Sequence, residues 1–303
     1  MKLAILSNGP ANYSTKRLVE EAQNRGHDVQ VIKYKDCYAS IESSNPRVGY
    51  EGEYLTGFDA IIPRIAGYMT RYGTAIVRQF EMQGVYTPVS SIAIGRSHDK
   101  IRSMQLLARS GVGIPKTVFS RNTTDIDDML EQIGGVPVII KLARGTHGNG
   151  VVLAETKKAA KSTLQAFYLG NEDGTNILIQ EYVKESAGTD IRAFVVGGRV
   201  VASMERQSLD DDFRSNIHQG GQGKVIKLTE QERKTAIKAA RTMGLNICGV
   251  DMMRSHKGPL VLEVNASPGF TIEKYTGRNV AKSVIEYIEL NAKRRNKKDK
   301  VGA

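Results

Sequence analysis

Short apolar runs alternate with amphipathic segments along the first part of the chain. Three runs are largely apolar and bounded by polar residues, which predicts strands: Lys2–Leu6, His27–Ile32 and Phe58–Pro63. Ser14–Arg25 and Thr74–Met82 repeat apolar positions at helical spacing, and Gly26 is a favoured residue just past a helix end. Residues 37–57 carry Gly and Pro punctuation and predict a long loop. Strands that alternate with helices indicate an α/β domain with a mostly parallel sheet.

The pattern changes at Ser97, where apolar spacing predicts a helix that runs to Gly111. Lys100 lies in the first turn of this helix, where the helix dipole disfavours a cation. This position is a hint of anion binding, and a solvated lysine is the alternative.

A glycine-rich segment links the next two strands. Pro137–Ala143 is an apolar run with Lys141 in its middle, and Val151–Leu153 is the run that follows. Between them stand three glycines that let the backbone approach a ligand closely: Gly145, Gly148 and Gly150. The segment does not open a helix or end in GK[ST], so it is not a Walker A loop. Its N–H groups can bind phosphate above Lys141, and a plain hairpin with an edge lysine is the alternative.

Further strands and one helix follow. Asn176–Val183 predicts a strand, and two apolar runs around a Gly-Gly turn predict a hairpin, Ile191–Val196 and Arg199–Met204. Thr229–Glu232 is a capping box that opens a helix to Met243, and Gly244 closes it.

Oxygen-bearing side chains interrupt the last predicted hairpin. Its strands and turn fall at Ile247–Met253, Pro259–Val264 and 254–258. Glu263 and Asn265 are two residues apart and face the same side of a strand, and Asp251 can join them from the neighbouring strand. Carboxylate and amide oxygens suit Mg²⁺, which usually binds through a few carboxylates and nucleotide phosphates. The hypothesis is an ATP–Mg²⁺ site, and an ordinary hairpin with exposed acids is the alternative.

The composition is that of an ordinary globular enzyme. With 303 residues, 40% hydrophobic and 25% charged, the chain can form two or three domains. No apolar run approaches the ~20 residues that cross a bilayer, so we expect no membrane partner and a cytoplasmic location. Cys37 and Cys248 lie in no metal-spaced or CxxC pattern, which indicates free thiols in a reducing compartment.

The positive charge has two parts. The net charge is +11, and the basic tail at 291–303 holds six Lys or Arg against Asp299. We expect this tail to be disordered, with nucleic-acid or ribosome contact as the alternative. The body without the tail is still basic, which favours an anionic partner.

Taken in chain order, the candidate residues resemble those of the ATP-grasp carboxylate–amine ligases. The resemblance is carried by Lys100, Lys141, the glycine-rich segment, Glu181–Val183, Asp190, Arg214–Asn216, Asp251 and Glu263–Asn265. Longer runs narrow it to the RimK family: Ile62–Ile65, Arg78–Met82, Asp99–Arg109, Asp212–Asn216 and Glu263–Gly269. It covers residues 1–290, and the basic tail departs from it.

The resemblance implies a fold and a division of the chain. The fold class is α/β, an ATP-grasp fold preceded by an N-terminal Rossmann-like α/β domain, the pre-ATP-grasp domain. The implied segments are an N-terminal domain at 1–97, a central ATP-grasp lobe with a glycine-rich flap at 98–185, a C-terminal ATP-grasp lobe with the metal site at 186–290, and the tail at 291–303.

The resemblance also implies roles for individual residues. Nucleotide binding is expected at Lys100, Lys141, Gly145, Gly148, Gly150, Glu181, Tyr182, Val183, Asp190, Arg192, Arg214, Ser215 and Asn216. Glu181, Tyr182 and Val183 would hold adenine, and Asp190 would lie near the ribose. The catalytic side chains are expected to be Arg206, Arg214 and Asn216. Two Mg²⁺ or Mn²⁺ ions are expected at Asp251, Glu263 and Asn265, with Glu263 between them.

The implied reaction is ATP-dependent ligation. A carboxylate attacks the γ-phosphorus of ATP to give an acyl phosphate and ADP, and the amine of glutamate then displaces phosphate. The RimK family adds glutamate to the C terminus of a small-subunit ribosomal protein, so we expect glutamate and an acidic ribosomal tail as partners. The resemblance also suggests a homotetramer. Two alternatives stay open: a ligase that joins an amino acid to a small-molecule carboxylate, and a non-catalytic ribosome- or RNA-binding factor.

Overall fold

The computed structural model describes residues 1–121, 124–142, 150–169, 176–186, 188–208 and 222–293. The N-terminal elements are β1 (Lys2–Leu6), α1 (Tyr13–Asn24), β2 (Asp28–Ile32), β3 (Tyr38–Ser40), β4 (Arg47–Tyr50), β5 (Glu53–Tyr54), β6 (Ala60–Pro63), α2 (Thr70–Met82) and α3 (Ser91–His98). Strands β2, β1 and β6 form a parallel sheet in that order, which confirms the predicted α/β pattern. The carboxyl ends of β1 and β6 therefore lie side by side at one edge.

The prediction of a long loop at 37–57 is wrong. Strands β3, β4 and β5 form a small antiparallel sheet there. Gly49 lets the Tyr38 ring lie against the backbone, since a Cβ at Gly49 would fall 2.0 Å from that ring. Strands of two to four residues are too short to show an alternating pattern, and Val48 and Tyr50 are buried only once the sheet has formed.

The central lobe carries its own sheet and core. Helix α4 (Lys100–Arg109) precedes this lobe, and its Leu107 packs in the core of the rest of the molecule. The elements of the lobe itself are β7 (Thr117–Ser120), α5 (Ile126–Gln132), β8 (Val138–Leu142), β9 (Val151–Ala154), α6 (Lys157–Leu169) and β10 (Ile177–Glu181). The strands pair antiparallel in the order β7-β10-β8-β9. The expected mostly parallel sheet is thus confined to the N-terminal domain. Leu130, Ile140 and Leu164 belong to a core separate from that of the rest of the molecule.

The helix predicted over 97–111 is two helices in the structure. α3 ends at His98 and α4 begins at Lys100, because the side chain of Asp99 accepts a hydrogen bond from the N–H of Arg102 and caps a new helix. Lys100 lies in a first helical turn as predicted, but in the first turn of α4.

The C-terminal lobe is built on a five-stranded antiparallel sheet. Its elements are β11 (Thr189–Val196), β12 (Arg199–Gln207), β13 (Gln222–Val225), α7 (Glu230–Met243), β14 (Ile247–Ser255), β15 (Gly258–Asn265), α8 (Ile272–Thr276) and α9 (Val280–Ala292). The strand order is β13-β12-β11-β14-β15. The capping box of Thr229 and Glu232 and the left-handed Gly244 are confirmed. The sheet shares one continuous core with the N-terminal domain, so these two parts form one packed body.

Helices α8 and α9 form ion pairs with helix α1 and its end in the N-terminal domain. Arg25 pairs with Glu289 at 2.6 Å, and Arg17 pairs with Glu273 at 2.8 Å. Residues 294–303, most of the predicted tail, lie outside the described residues. Within the described part of the chain, no helix is long and apolar enough to cross a membrane.

Candidate active site

Asp251, Glu263 and Asn265 come together on the β14–β15 hairpin. Asp251 stands opposite Glu263 and Gly249 opposite Asn265. The side-chain amide nitrogen of Asn265 donates to Glu263 Oε1 at 2.9 Å and lies 3.5 Å from Asp251 Oδ2. The antiparallel register therefore brings the three predicted metal ligands within reach of one another, as expected from their spacing.

The chemistry of this donor set fits a hard cation. Two carboxylates and one amide, with no nitrogen or sulfur ligand, are typical of Mg²⁺ bound together with phosphate oxygens. No cluster of three or more His, Cys, Asp or Glu side chains suited to a metal occurs in the described segments. Binding here therefore needs the amide oxygen of Asn265, which a half-turn of the amide presents to the ion.

Three buried side chains, Asp190, Arg206 and Asp251, and the half-buried Arg192 form a charge cluster behind this site. Arg192 donates to both oxygens of Asp251, at 2.7 and 2.5 Å, and Arg206 lies 2.9 Å from the same carboxylate. Arg206 also donates to both oxygens of Asp190, at 2.6 Å through Nε and by a shorter bond through Nη2. Each buried charge in the charge cluster therefore has an opposite charge beside it, as low-dielectric surroundings require.

Strand register explains the charge cluster. Asp190 and Arg192 are two apart on β11 and face the same side, while Arg206 stands opposite Asp190 on β12 and Asp251 stands opposite Arg192 on β14. Three neighbouring strands thus contribute to one face. Arg206 is only 3% exposed and Asp251 2%, so both are oriented by protein groups alone.

The arginines keep Asp251 ionised. Burial by itself would raise the pKa of Asp251, but the positive charges of Arg192 and Arg206 outweigh it and hold the pKa below its ordinary value. Burial would lower the pKa of Arg206, and the two carboxylates raise it instead. Arg206, predicted to be catalytic, and Asp190, predicted to lie near the ribose, are both committed to this pairing in the structure.

Lys141 on β8 and Lys100 at the start of α4 both lie near the metal-ligand candidates in the interlobe cleft, the space between β8 and the β14–β15 hairpin. Reduced hydration lowers the pKa of Lys141 to about 8, with Glu263 partly opposing the shift and Lys100 adding to it. Burial also lowers the pKa of Lys100, again opposed by Glu263. The Lys100 ammonium donates to the carbonyl of Leu142 at 3.3 Å. Lys100 is close enough to lower the pKa of Lys141, and two lysines so near each other indicate a place for a polyanion.

Glu263 keeps an exposed side chain at the floor of the interlobe cleft. Reduced hydration between the lobes, followed by the negative charge of Asp251, raises its pKa. A cation bound beside it would reverse both effects.

The predicted adenine contacts lie at the end of β10. The Glu181 carboxylate accepts from the N–H of Lys116 at 3.0 Å and from the ammonium of Lys257 at 3.2 Å. Tyr182 is half-buried and Val183 is buried. Sequence reasoning missed Lys257, which lies in the turn of the metal-ligand hairpin. Its position in that turn was the only available signal, because nothing in the sequence places it beside β10.

The described residues include part of the predicted set. Gly150 adopts φ 72°, and its carbonyl accepts from the N–H of Leu142 at 3.0 Å, where the glycine-rich segment rejoins the sheet. Five predicted site residues lie outside the described residues, so their roles stay predictions: Gly145, Gly148, Arg214, Ser215 and Asn216.

Two family models and a set of curated relatives match this chain. The family model for the RimK-like ATP-grasp domain matches residues 97–288, and that for the RimK PreATP-grasp domain matches residues 1–94. A relative from Hydrogenovibrio crunogenus, named probable alpha-L-glutamate ligase, is 55% identical over 98% of this chain and 98% of its own length.

Solved structures share the fold at low identity. The ATP-grasp ligase PsnB, complexed with minimal precursor, Mg and ADP, has a TM-score of 0.74 at 17% identity and covers 97% of this chain and 98% of its own. The D-cycloserine synthetase DcsG has a TM-score of 0.71 at 18% identity and covers 98% of this chain and 100% of its own. The expected ATP-grasp fold is thereby confirmed. This chain belongs to the RimK family of ATP-grasp ligases and is an ATP-dependent carboxylate–amine ligase.

Proposed function

We propose that this protein is an α-glutamate ligase that extends the acidic C terminus of a small-subunit ribosomal protein. The observation that carries the proposal is that Lys100 and Lys141 lie in the interlobe cleft beside the oxygen ligands of Asp251, Glu263 and Asn265. Cations facing oxygen ligands match the two needs of ATP, whose phosphates bind lysine and a divalent ion. The name of the relative, probable alpha-L-glutamate ligase, supports glutamate as the amine substrate.

The residues of this chain divide the work. Lys100 and Lys141 would bind phosphate oxygens, and Asp251, Glu263 and Asn265 would hold the proposed two Mg²⁺ or Mn²⁺ ions. Such ions supply positive charge beside the transferring phosphoryl group. Arg192 and Arg206 keep Asp251 ionised and oriented, which is positioning rather than chemistry.

The reaction has two transfers. An oxygen of the acceptor carboxylate bonds to the γ-phosphorus as the bond to ADP breaks, leaving an acyl phosphate. The amine nitrogen of glutamate then attacks the acyl carbon, phosphate leaves, and the nitrogen loses a proton to give the amide. No enzyme nucleophile is needed, and burial raises the pKa of Cys37 to about 12 and that of Cys248 further, so neither thiol is activated.

A small-molecule carboxylate is the second candidate acceptor. The fold is shared by a ligase solved with a peptide precursor and by a D-cycloserine synthetase, so the fold leaves the acceptor open. The basic character of the chain favours the acidic protein tail, because each added glutamate makes the product more anionic.

ADP release with L-glutamate, with and without an acceptor, tests the proposal. A peptide ending in glutamates should stimulate ADP release and gain glutamyl residues by mass spectrometry, while the same peptide with an amidated C terminus should not. Between 0.1 and 1 M salt the Debye length falls from about 10 to about 3 Å, so the acceptor KM should rise more than the ATP KM. Glutamate-dependent ADP release that ignores the peptide would favour the small-molecule acceptor. A homotetramer, measured by light scattering, is proposed from the family alone.

A further inference from the structure

Arg64 lies at the edge of the N-terminal sheet that faces the C-terminal lobe. It directly follows β6, and its N–H donates to the carbonyl of Leu6 at 2.9 Å, so it stands beside the carboxyl end of β1. In open α/β sheets, ligands bind outside the carboxyl ends of the strands. Arg64 is not one of the residues of the ATP site.

The Arg64 side chain reaches the loop that follows the metal-ligand strand. Its Nη1 donates to the carbonyl of Pro268 at 2.8 Å, and its guanidinium lies 5.3 Å from the centre of the Phe270 ring. Pro268 in turn covers Gly249, since a Cβ there would fall 3.0 Å from Pro268 Cβ and 3.8 Å from Arg192 Nε. Arg64 is thus one proline away from the face of β14 that carries Asp251.

Arg64 has no carboxylate partner among the residues that the structure describes. By contrast, the arginines that join the same two parts of the molecule, Arg17 and Arg25, are each paired with a glutamate. Burial alone lowers the pKa of Arg64 to about 10, with no charged group opposing the shift. A half-buried guanidinium held by one carbonyl keeps N–H groups that an anion can accept from.

We propose that Arg64 binds a carboxylate of the incoming glutamate. This inference rests on the proposed function. Glutamate carries two carboxylates that stay ionised throughout the reaction, and the planar fork of arginine matches a carboxylate with two parallel hydrogen bonds. In the proposed function Lys100 and Lys141 bind the ATP phosphates, which leaves Arg64, beside the loop at Pro268, as the cation for the amine substrate.

Steady-state kinetics of Arg64→Gln and Arg64→Lys test the assignment. Arg64→Gln should raise the glutamate KM about 10- to 100-fold, as expected for loss of hydrogen bonds to a charged group, while the ATP KM and the acceptor KM change less than about twofold. Arg64→Lys keeps the charge without the fork and should be intermediate. Arg47→Gln is the matched control, because Arg47 pairs with Glu42 on the small antiparallel sheet and should leave all three KM values unchanged.

A thermal measurement separates binding from a structural role. Without substrates, Arg64→Gln should melt at the wild-type temperature or above, because it removes a half-buried cation that lacks a carboxylate partner among the described residues. Glutamate with ATP and Mg²⁺ should raise the Tm of the wild type more than that of the variant. A wild-type glutamate KM in Arg64→Gln, or a rise in the acceptor KM alone, overturns the assignment. Absence of glutamate-dependent ADP release in the wild type would instead overturn the proposed function.

Discussion

The two walls of the interlobe cleft differ in whether their poorly hydrated charges are paired. On the C-terminal wall, the charge cluster pairs every buried ion, and Asp251 meets Arg192 and Arg206 through hydrogen bonds. On the central wall, Lys141 forms no ion pair with any described residue, and reduced hydration lowers its pKa to about 8. The side chains of the charge cluster are therefore oriented before any ligand binds, whereas the ammonium of Lys141 gains a close opposite charge only when an anion binds.

Substitution of the two carboxylates should give the largest effects and separate stability from activity. Glu263→Gln should lower the rate of ADP release at least about 100-fold, because it weakens an oxygen ligand at an exposed position, with little change in the free energy of unfolding. Asp251→Asn should also stop turnover, and it should cost about 3 kcal/mol of stability because it removes a buried charge that pairs with the half-buried Arg192 and the buried Arg206.

Urea unfolding with parallel ADP assays makes this measurement. The side chain of Asp251 is only 2% exposed, so its replacement should change stability as well as turnover. Equal midpoints for the two variants would show that the charge cluster does not depend on Asp251.

Substitution of Lys141 should weaken ATP binding without lowering stability, in contrast to Asp251→Asn. Lys141→Met should raise the ATP KM about tenfold through loss of a charge-assisted contact, while the Tm of the ligand-free protein stays the same or rises, because an ion that hydration stabilises poorly is removed. Calorimetric titration with ATP and thermal melts provide the two readings. Unchanged ATP affinity would make Lys141 an edge lysine.

Stability and kcat/KM should both depend on pH through Lys141, with smaller effects than those of the substitutions above. Folding lowers the pKa of Lys141 from its ordinary 10.5 to about 8. Between these two pH values the unfolded chain therefore holds a proton on Lys141 that the folded chain has lost. The free energy of unfolding of the ligand-free protein should therefore increase as pH rises from 8 to 10.5. Over the same range Lys141 loses its charge, so kcat/KM for ATP should fall above pH 8. The difference between wild type and Lys141→Met in both profiles isolates this lysine.

The ion pair of Glu181 and Lys257 should matter least. It joins the central lobe to the turn of the β14–β15 hairpin at 3.2 Å, and the Lys257 side chain is 48% exposed. Exposed pairs contribute about 0–1 kcal/mol, so Lys257→Ala should shift the ATP KM less than about threefold and become silent at high salt. A tenfold effect would move Lys257 into the nucleotide site.

Several features could be predicted from local pattern. Helix ends marked by Gly26 and Gly244, the capping box at Thr229, and the strands that carry Lys141 and Asp251 were all confirmed, since each depends on a few neighbouring residues. The sheet of β3, β4 and β5 was not predicted because strands of two to four residues are too short to show alternation. The division of the helix at Asp99 was not predicted because an acidic cap inside a helical pattern interrupts no apolar period.

The sequence by itself determined which residue types were available for chemistry and, through strand periodicity, that Glu263 and Asn265 share a face. Only the tertiary structure decided how the charges pair. Arg192 and Arg206 both meet Asp251 because β14, which is distant in sequence, aligns in register beside the β11–β12 hairpin. Likewise, Arg64 lies beside Pro268 because the N-terminal domain packs against the C-terminal lobe. Pairing depends on distances across strands and domains, which no local pattern of residues encodes.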